Sequence, residues 1–173
     1  MLRILCTLPF LAAAIATPIG LSADLAALDQ ISLTITALGV SIAALPSSGP
    51  ANSAQLALFQ TSMNNLRSAV DNAGAVMLAN PPQRDDECGV TLPPIQEVFP
   101  DRFVAAFQGA TIKADAFASV NTQVAAQVNA LGVETDEYFD ATIDACPSIS
   151  NPLGSAKVAV DGALQGFTDA LGV

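Results

Sequence analysis

Residues 24–45 read DLAALDQISLTITALGVSIAAL, and the apolar positions Leu25, Leu28, Ile31, Ile35, Leu38, Ile42 and Leu45 recur at steps of three and four. That rhythm lays them along one stripe of a helix, whereas a half-buried strand would need steps of two. Pro46-Ser47-Ser48-Gly49-Pro50 ends the helix, and Asn52 with Gln55 three places later has the form of a capping box opening the next. Leu56, Phe59, Met63, Leu66, Val70, Ala73 and Met77 repeat the same rhythm. The second helix stops before Asn80-Pro81-Pro82, because a residue preceding proline is pushed out of helical backbone.

Outward from this hairpin, residues 80–94 read as a proline-rich surface loop whose centre, Arg84-Asp85-Asp86-Glu87-Cys88-Gly89, is too charged for an interior. Pro93-Pro94 opens a third helix bearing Phe99, Phe103, Phe107, Ala110, Ala114 and Phe117, with a kink or restart at Pro100-Asp101. A fourth helix follows with Val124, Val128, Leu131, Phe139 and Ile143 inward and ends at Cys146-Pro147. Asn151-Pro152 then reads as cap and first-turn proline for a fifth, carrying Val160, Leu164, Phe167 and Leu171. An unbroken helix from Asp101 to Ala145 would run roughly 65 Å, too long for a domain of this size, so a break is placed near Ser119. The expected architecture is an all-α, single-domain, five-helix and mostly antiparallel bundle, with helices at 24–45, 52–79, 94–118, 121–145 and 152–171.

At the other end of the chain, Arg3 precedes a run that is apolar from Ile4 to Ala16 apart from Thr7, and Ala14-Ile15-Ala16 has the small-x-small form of a signal-peptidase site. The expectation is a signal peptide at residues 1–16, cleavage after Ala16, and a helical domain over 24–173 in a secreted or loosely wall-associated protein. A transmembrane anchor needs about 20 apolar residues, more than this run supplies. Cleavage removes Cys6 and leaves Cys88 and Cys146 as an even pair bound for an oxidising compartment, so one disulfide is expected. Closing so long a loop restricts the unfolded chain by about 4 kcal/mol. A reactive thiol is the weaker reading, because no basic neighbour depresses either pKa.

With 16 acidic and 6 basic side chains, the 173-residue chain carries a formal charge of −10 and contains no histidine. Nucleic acid is excluded as a partner by repulsion. Ser-His-Asp triads, Cys-His dyads and HExxH zinc sites are excluded by the missing imidazole. Glu134, Asp136, Glu137, Asp140 and Asp144 share helical spacings, but a regular helix lacks the tight carbonyl-lined turn that calcium takes, so they read as a solvated face. No cofactor, metal or catalytic residue is expected, and the acidity serves solubility.

The interior positions are more informative. Phe59, Met63, Leu66, Met77, Phe103, Phe107, Phe117, Phe139, Leu164 and Phe167 are bulky or pliable, and they alternate with alanines such as Ala73, Ala110 and Ala114. Such mixing packs an ordinary core. It equally lines an apolar cavity for a long hydrocarbon, because small residues leave space and methionine adapts its shape.

Ile35-Thr36-Ala37-Leu38-Gly39-Val40-Ser41-Ile42-Ala43-Ala44-Leu45 and Gly109-Ala110-Thr111-Ile112-Lys113-Ala114-Asp115-Ala116-Phe117 resemble the fungal hydrophobic surface binding protein A family. That family includes the antigenic cell-wall galactomannoproteins. The stretch from Glu134 to Ala141 and Lys157-Val158-Ala159-Val160-Asp161 are similar in pattern too. The resemblance implies a secreted, non-enzymatic helical bundle that encloses a fatty acid or another hydrophobic small molecule in an apolar tunnel. The alternative it carries is an adhesion protein that coats wax, cuticle or polyester and recruits a secreted hydrolase. Burial of a long acyl chain needs no cationic partner, although Lys113 or a Ser/Thr hydroxyl could meet a lipid carboxylate. Two features depart from the usual pattern: the charged Cys88 segment with its partner Cys146, and the absence of a Ser/Thr-rich stalk or apolar tail, so no lipid anchor is expected. No Asn-x-Ser/Thr sequon occurs, so no N-linked glycan is expected either.

Overall fold

The computed structural model describes residues 19–82 and 85–173, with backbone alone at residues 19 and 20. The expected signal segment, residues 1–16, lies outside the described residues. Helix α1 spans Ile19–Ala43, α2 Ser53–Ala79 and α3 Asp85–Gln96. A π-helical stretch, Glu97–Phe103, joins α3 to α4 at Val104–Ile112, and these three pieces form one bent rod. A 3-10 turn at Ala114–Phe117 leads to α5, Asn121–Ala145, and another at Pro147–Ile149 to α6, Ser150–Leu171. No strand occurs among the described residues. The break expected near Ser119 falls between the first 3-10 turn and α5.

Successive rods alternate in direction, and the order around the bundle is α1, α2, α5, α6 and the bent rod, which returns to α1. Arg67 meets Glu134 and Gly74 lies against the Tyr138 backbone, so the neighbours α2 and α5 run parallel. The Asn52 side chain accepts from the Gln55 amide while the Gln55 side chain accepts from the Asn52 amide, completing the expected capping box. Leu21–Ala43 is long and apolar enough to cross a bilayer, but its inner stripe, Leu28, Ile31, Ile35, Leu38 and Ile42, is buried in the bundle.

The segment expected as a loop over 80–94 is corrected by α3, which begins at Asp85. Asp85, Asp86 and Glu87 occupy its first turn, where the unsatisfied amides and the helix dipole favour negative charge. Glu87 and Cys88 are buried, contrary to the expectation of a fully solvated run. Pro93 and Pro94 sit inside the helix rather than at its start. Their missing N–H groups free the Gly89 and Val90 carbonyls, and both residues are exposed, so water satisfies them. Pro100 likewise frees the carbonyl of exposed Gln96, and the backbone there widens into the π-helical stretch, at the site of the expected kink. The fifth helix starts at Ser150 without a side-chain cap, so Asn151 lies inside its first turn.

Cys88 and Cys146 form the expected disulfide, 58 positions apart in sequence with Cα atoms 5.6 Å apart. It fastens the start of α3 to the end of α5.

Candidate functional site

All ten residues expected to face a cavity are buried. Phe59, Met63, Leu66 and Met77 come from α2, Phe103 from the π-helical stretch, Phe107 from α4, Phe117 from the 3-10 turn, Phe139 from α5, and Leu164 and Phe167 from α6. The fold brings nine of them into one continuous core with Ala73, Ala110, Ala116, Ala125 and Ala156, whereas Met77 is buried outside that cluster. Leu164 also borders an open depression of about 240 Å³ between α5 and α6.

The rings touch one another along the length of the bundle. Ring centroids lie 5.3 Å apart for Tyr138 and Phe99, 5.9 Å for Phe99 and Phe103, and 4.8 Å for Phe103 and Phe107. The run continues from Phe107 to Phe167 at 6.0 Å, from Phe167 to Phe117 at 5.6 Å, and from Phe117 to Phe59 at 4.6 Å. Stacked, tilted and edge contacts of this kind add about 0.5–1.5 kcal/mol per pair beyond burial. A single aromatic row thus leads from the disulfide end to the α1–α2 loop end.

Two polar residues stand at its disulfide end, and sequence reasoning did not assign either to the site. Asp24 is 4% exposed and Tyr138 2% exposed. Neither carboxylate oxygen of Asp24 has a hydrogen-bond partner, and the Tyr138 hydroxyl has only the Thr142 hydroxyl beside it. Burial raises the Asp24 carboxyl from 3.8 to about 6. Burial also holds the Tyr138 phenol above its ordinary value, with the neighbouring Thr142 hydroxyl opposing that rise and the Asp24 charge adding to it. The signal for Asp24 was its place four residues before Leu28, on the inner stripe of α1. The signal for Tyr138 was its place seven residues after Leu131 on α5.

Lys113 does not face this interior. Its Nζ donates to the carbonyls of Ile42 at 3.0 Å, Ala43 at 3.1 Å and Leu45 at 2.7 Å, so its three protons close the end of α1. The reading in which it meets a lipid carboxylate is corrected accordingly. On the acidic face, Arg67 binds Glu134 at 2.8 Å, and Lys157 binds Asp140 at 2.7 Å and Asp136 at 3.2 Å. Hydrogen bonding to Asp140 raises the Lys157 pKa despite some desolvation. No cluster of His, Cys, Asp or Glu among the described residues is arranged to hold a metal ion.

A second apolar feature lies outside the core. Val104, Gln108, Thr111 and Ile112 of α4 face Ala159, Gly162, Ala163 and Gly166 of α6 across an open groove of about 540 Å³. Ile112 is 84% exposed at its edge.

No protein-family model matches the sequence. No curated protein matches it either. Among solved structures, the crystal structure of AfMP4p in complex with palmitic acid aligns with a TM-score of 0.79 at 19% identity, covering 87% of this chain and 99% of that one. The chain therefore has the fold of AfMP4p.

Proposed function

We propose that this protein is a secreted, non-enzymatic carrier that encloses a fatty acid or similar lipid among its helices. The observation that carries the reading is the unbroken row of buried rings from Tyr138 to Phe59, set among alanines and the pliable Met63. The fold shared with a protein crystallised with palmitic acid supports it, as does the resemblance to the hydrophobic surface binding protein A family. Because the rings touch, an acyl chain enters by parting them, and each methylene it withdraws from water contributes about 0.8 kcal/mol. The absence of histidine from the sequence fits a protein that binds its ligand and releases it unchanged.

Native mass spectrometry of the purified chain tests this reading. An adduct of acyl-lipid mass, or uptake of added palmitate, is the expected result. A protein that remains unliganded with palmitate, 1-hexadecanol and methyl palmitate each in excess overturns it.

The groove between α4 and α6, with exposed Ile112 at its edge, favours a second reading: adhesion to hydrophobic surfaces, with or without recruitment of a hydrolase. Depletion of unliganded protein onto hydrophobic beads is its expected result.

A further inference from the structure

Asp24 and Tyr138 are an unusual pair to leave in an apolar interior. A buried carboxylate or hydroxyl without a hydrogen bond is costly, and native proteins pair the great majority of such groups. Here both oxygens of the Asp24 carboxyl lack a donor, and the Tyr138 hydroxyl has only the Thr142 hydroxyl beside it, whose own proton goes to the Tyr138 carbonyl at 2.7 Å. Tyr138 sits on α5, which is not a neighbour of α1 around the bundle, and its phenol feels the Asp24 charge from across the interior. Its ring stacks on Phe99 at 5.3 Å, the first contact of the aromatic row, so the polar pair closes one end of that row. The two groups have complementary chemistry, because a tyrosine hydroxyl donates one proton whereas an ionised carboxylate only accepts.

Resting on the lipid-carrier reading above, we infer that Asp24 and Tyr138 form the head-group subsite of the interior and select an uncharged head that both donates and accepts, namely a hydroxyl, over a carboxylate. A ligand hydroxyl donates its proton to the Asp24 carboxylate and accepts the proton of Tyr138, satisfying both residues. A ligand carboxylate brings a second negative charge against Asp24 where little water screens it, and like charges that close disfavour joint ionisation. An ester head accepts from Tyr138 but leaves Asp24 without a donor.

The test uses the full chain after delipidation at pH 8, where the Asp24 carboxyl, raised only to about 6, is ionised. 1-Hexadecanol, palmitate and methyl palmitate compete separately against the neutral fluorescent probe N-phenyl-1-naphthylamine. Wild type is expected to bind the alcohol about tenfold or more tightly than palmitate. Asp24→Asn supplies an amide that donates as well as accepts and carries no charge, so the preference should fall to within about threefold. Tyr138→Phe should weaken alcohol and palmitate together. Both substitutions keep the side-chain shape, and each removes a buried polar conflict, so folding is retained.

Equal wild-type binding of alcohol and palmitate, or a ranking unchanged in Asp24→Asn, overturns the subsite while leaving the carrier reading intact. An ordered water bridging the two residues gives that unchanged ranking. Failure of wild type to bind any of the three lipids overturns both.

Discussion

Lys113 Nζ donates to the Leu45 carbonyl at 2.7 Å, across 68 residues of sequence, and the same ammonium reaches Ile42 and Ala43. A helix leaves its last carbonyls without intrahelical donors, and its C-terminal end carries partial negative charge. One lysine meets both needs for α1 and ties the end of α4 to it. Lys113→Met keeps much of the stem but removes the donors, and should lower stability by about 1–2 kcal/mol in a urea titration. Unchanged stability would mean that water replaces the ammonium without loss.

Asp24 makes stability depend on pH in a defined direction. The fold raises its carboxyl from 3.8 to about 6, so the folded state prefers the protonated form. Below the lower value both folded and unfolded chains hold the proton and nothing is lost. As pH rises through the window between the two values, the unfolded chain releases it first, and stability falls. Above about 6 the full penalty applies, on the order of 2–3 kcal/mol. Asp24→Asn should therefore be more stable than wild type by that amount at pH 8 and indistinguishable from it near pH 3.5, measured as paired urea midpoints.

Replacing Cys88 and Cys146 together by serine removes the covalent link between α3 and α5. The chain-entropy argument gives a loss of about 4 kcal/mol, read from the urea midpoint of the double variant beside that of the oxidised protein. A loss below about 1 kcal/mol would mean that the ordered core already holds the start of α3 in place.

Gly162 and Gly166 lie inside α6 with open space where a Cβ would stand. Alanine at either position should raise the stability of the folded chain by about 0.5–1 kcal/mol. Gly166→Leu fills part of the groove against α4. If that groove contacts hydrophobic surfaces, bead adsorption should fall in this variant while uptake of lipid into the core is retained.

The helical stripes were legible because a three-four apolar rhythm meets a proline stop, as at Leu45-Pro46 and Cys146-Pro147, whereas the break near Ser119 has neither proline nor glycine and followed from helix length alone. The start of α3 was not. Asp85, Asp86 and Glu87 read as solvent-seeking residues, yet a first helical turn accommodates their charge, and Pro93 and Pro94 leave only solvent-facing carbonyls without donors. The cavity candidates were legible as interior positions because phenylalanines on an amphipathic stripe have nowhere else to go. Asp24 and Tyr138 escaped because a charged residue at the edge of an apolar stripe reads as its boundary. Their burial at one end of the aromatic row depends on how the helices assemble, which spacing within either helix does not encode.

The disulfide divides the aromatic residues unequally. Of the rings in the buried core, Phe99, Phe103, Phe107, Phe117, Tyr138 and Phe139 lie within the loop it closes, whereas Phe59 and Phe167 lie outside. In the oxidised unfolded chain those six remain on one covalent ring with two free arms, the α1–α2 segment on one side and the α6 segment on the other. Collapse of the ring brings its own aromatic residues together over short distances, and each arm then adds a single phenylalanine to a nucleus already formed. Reduction turns the same chain into a linear one, in which Phe99 and Phe139 must find each other across the full length of open loop.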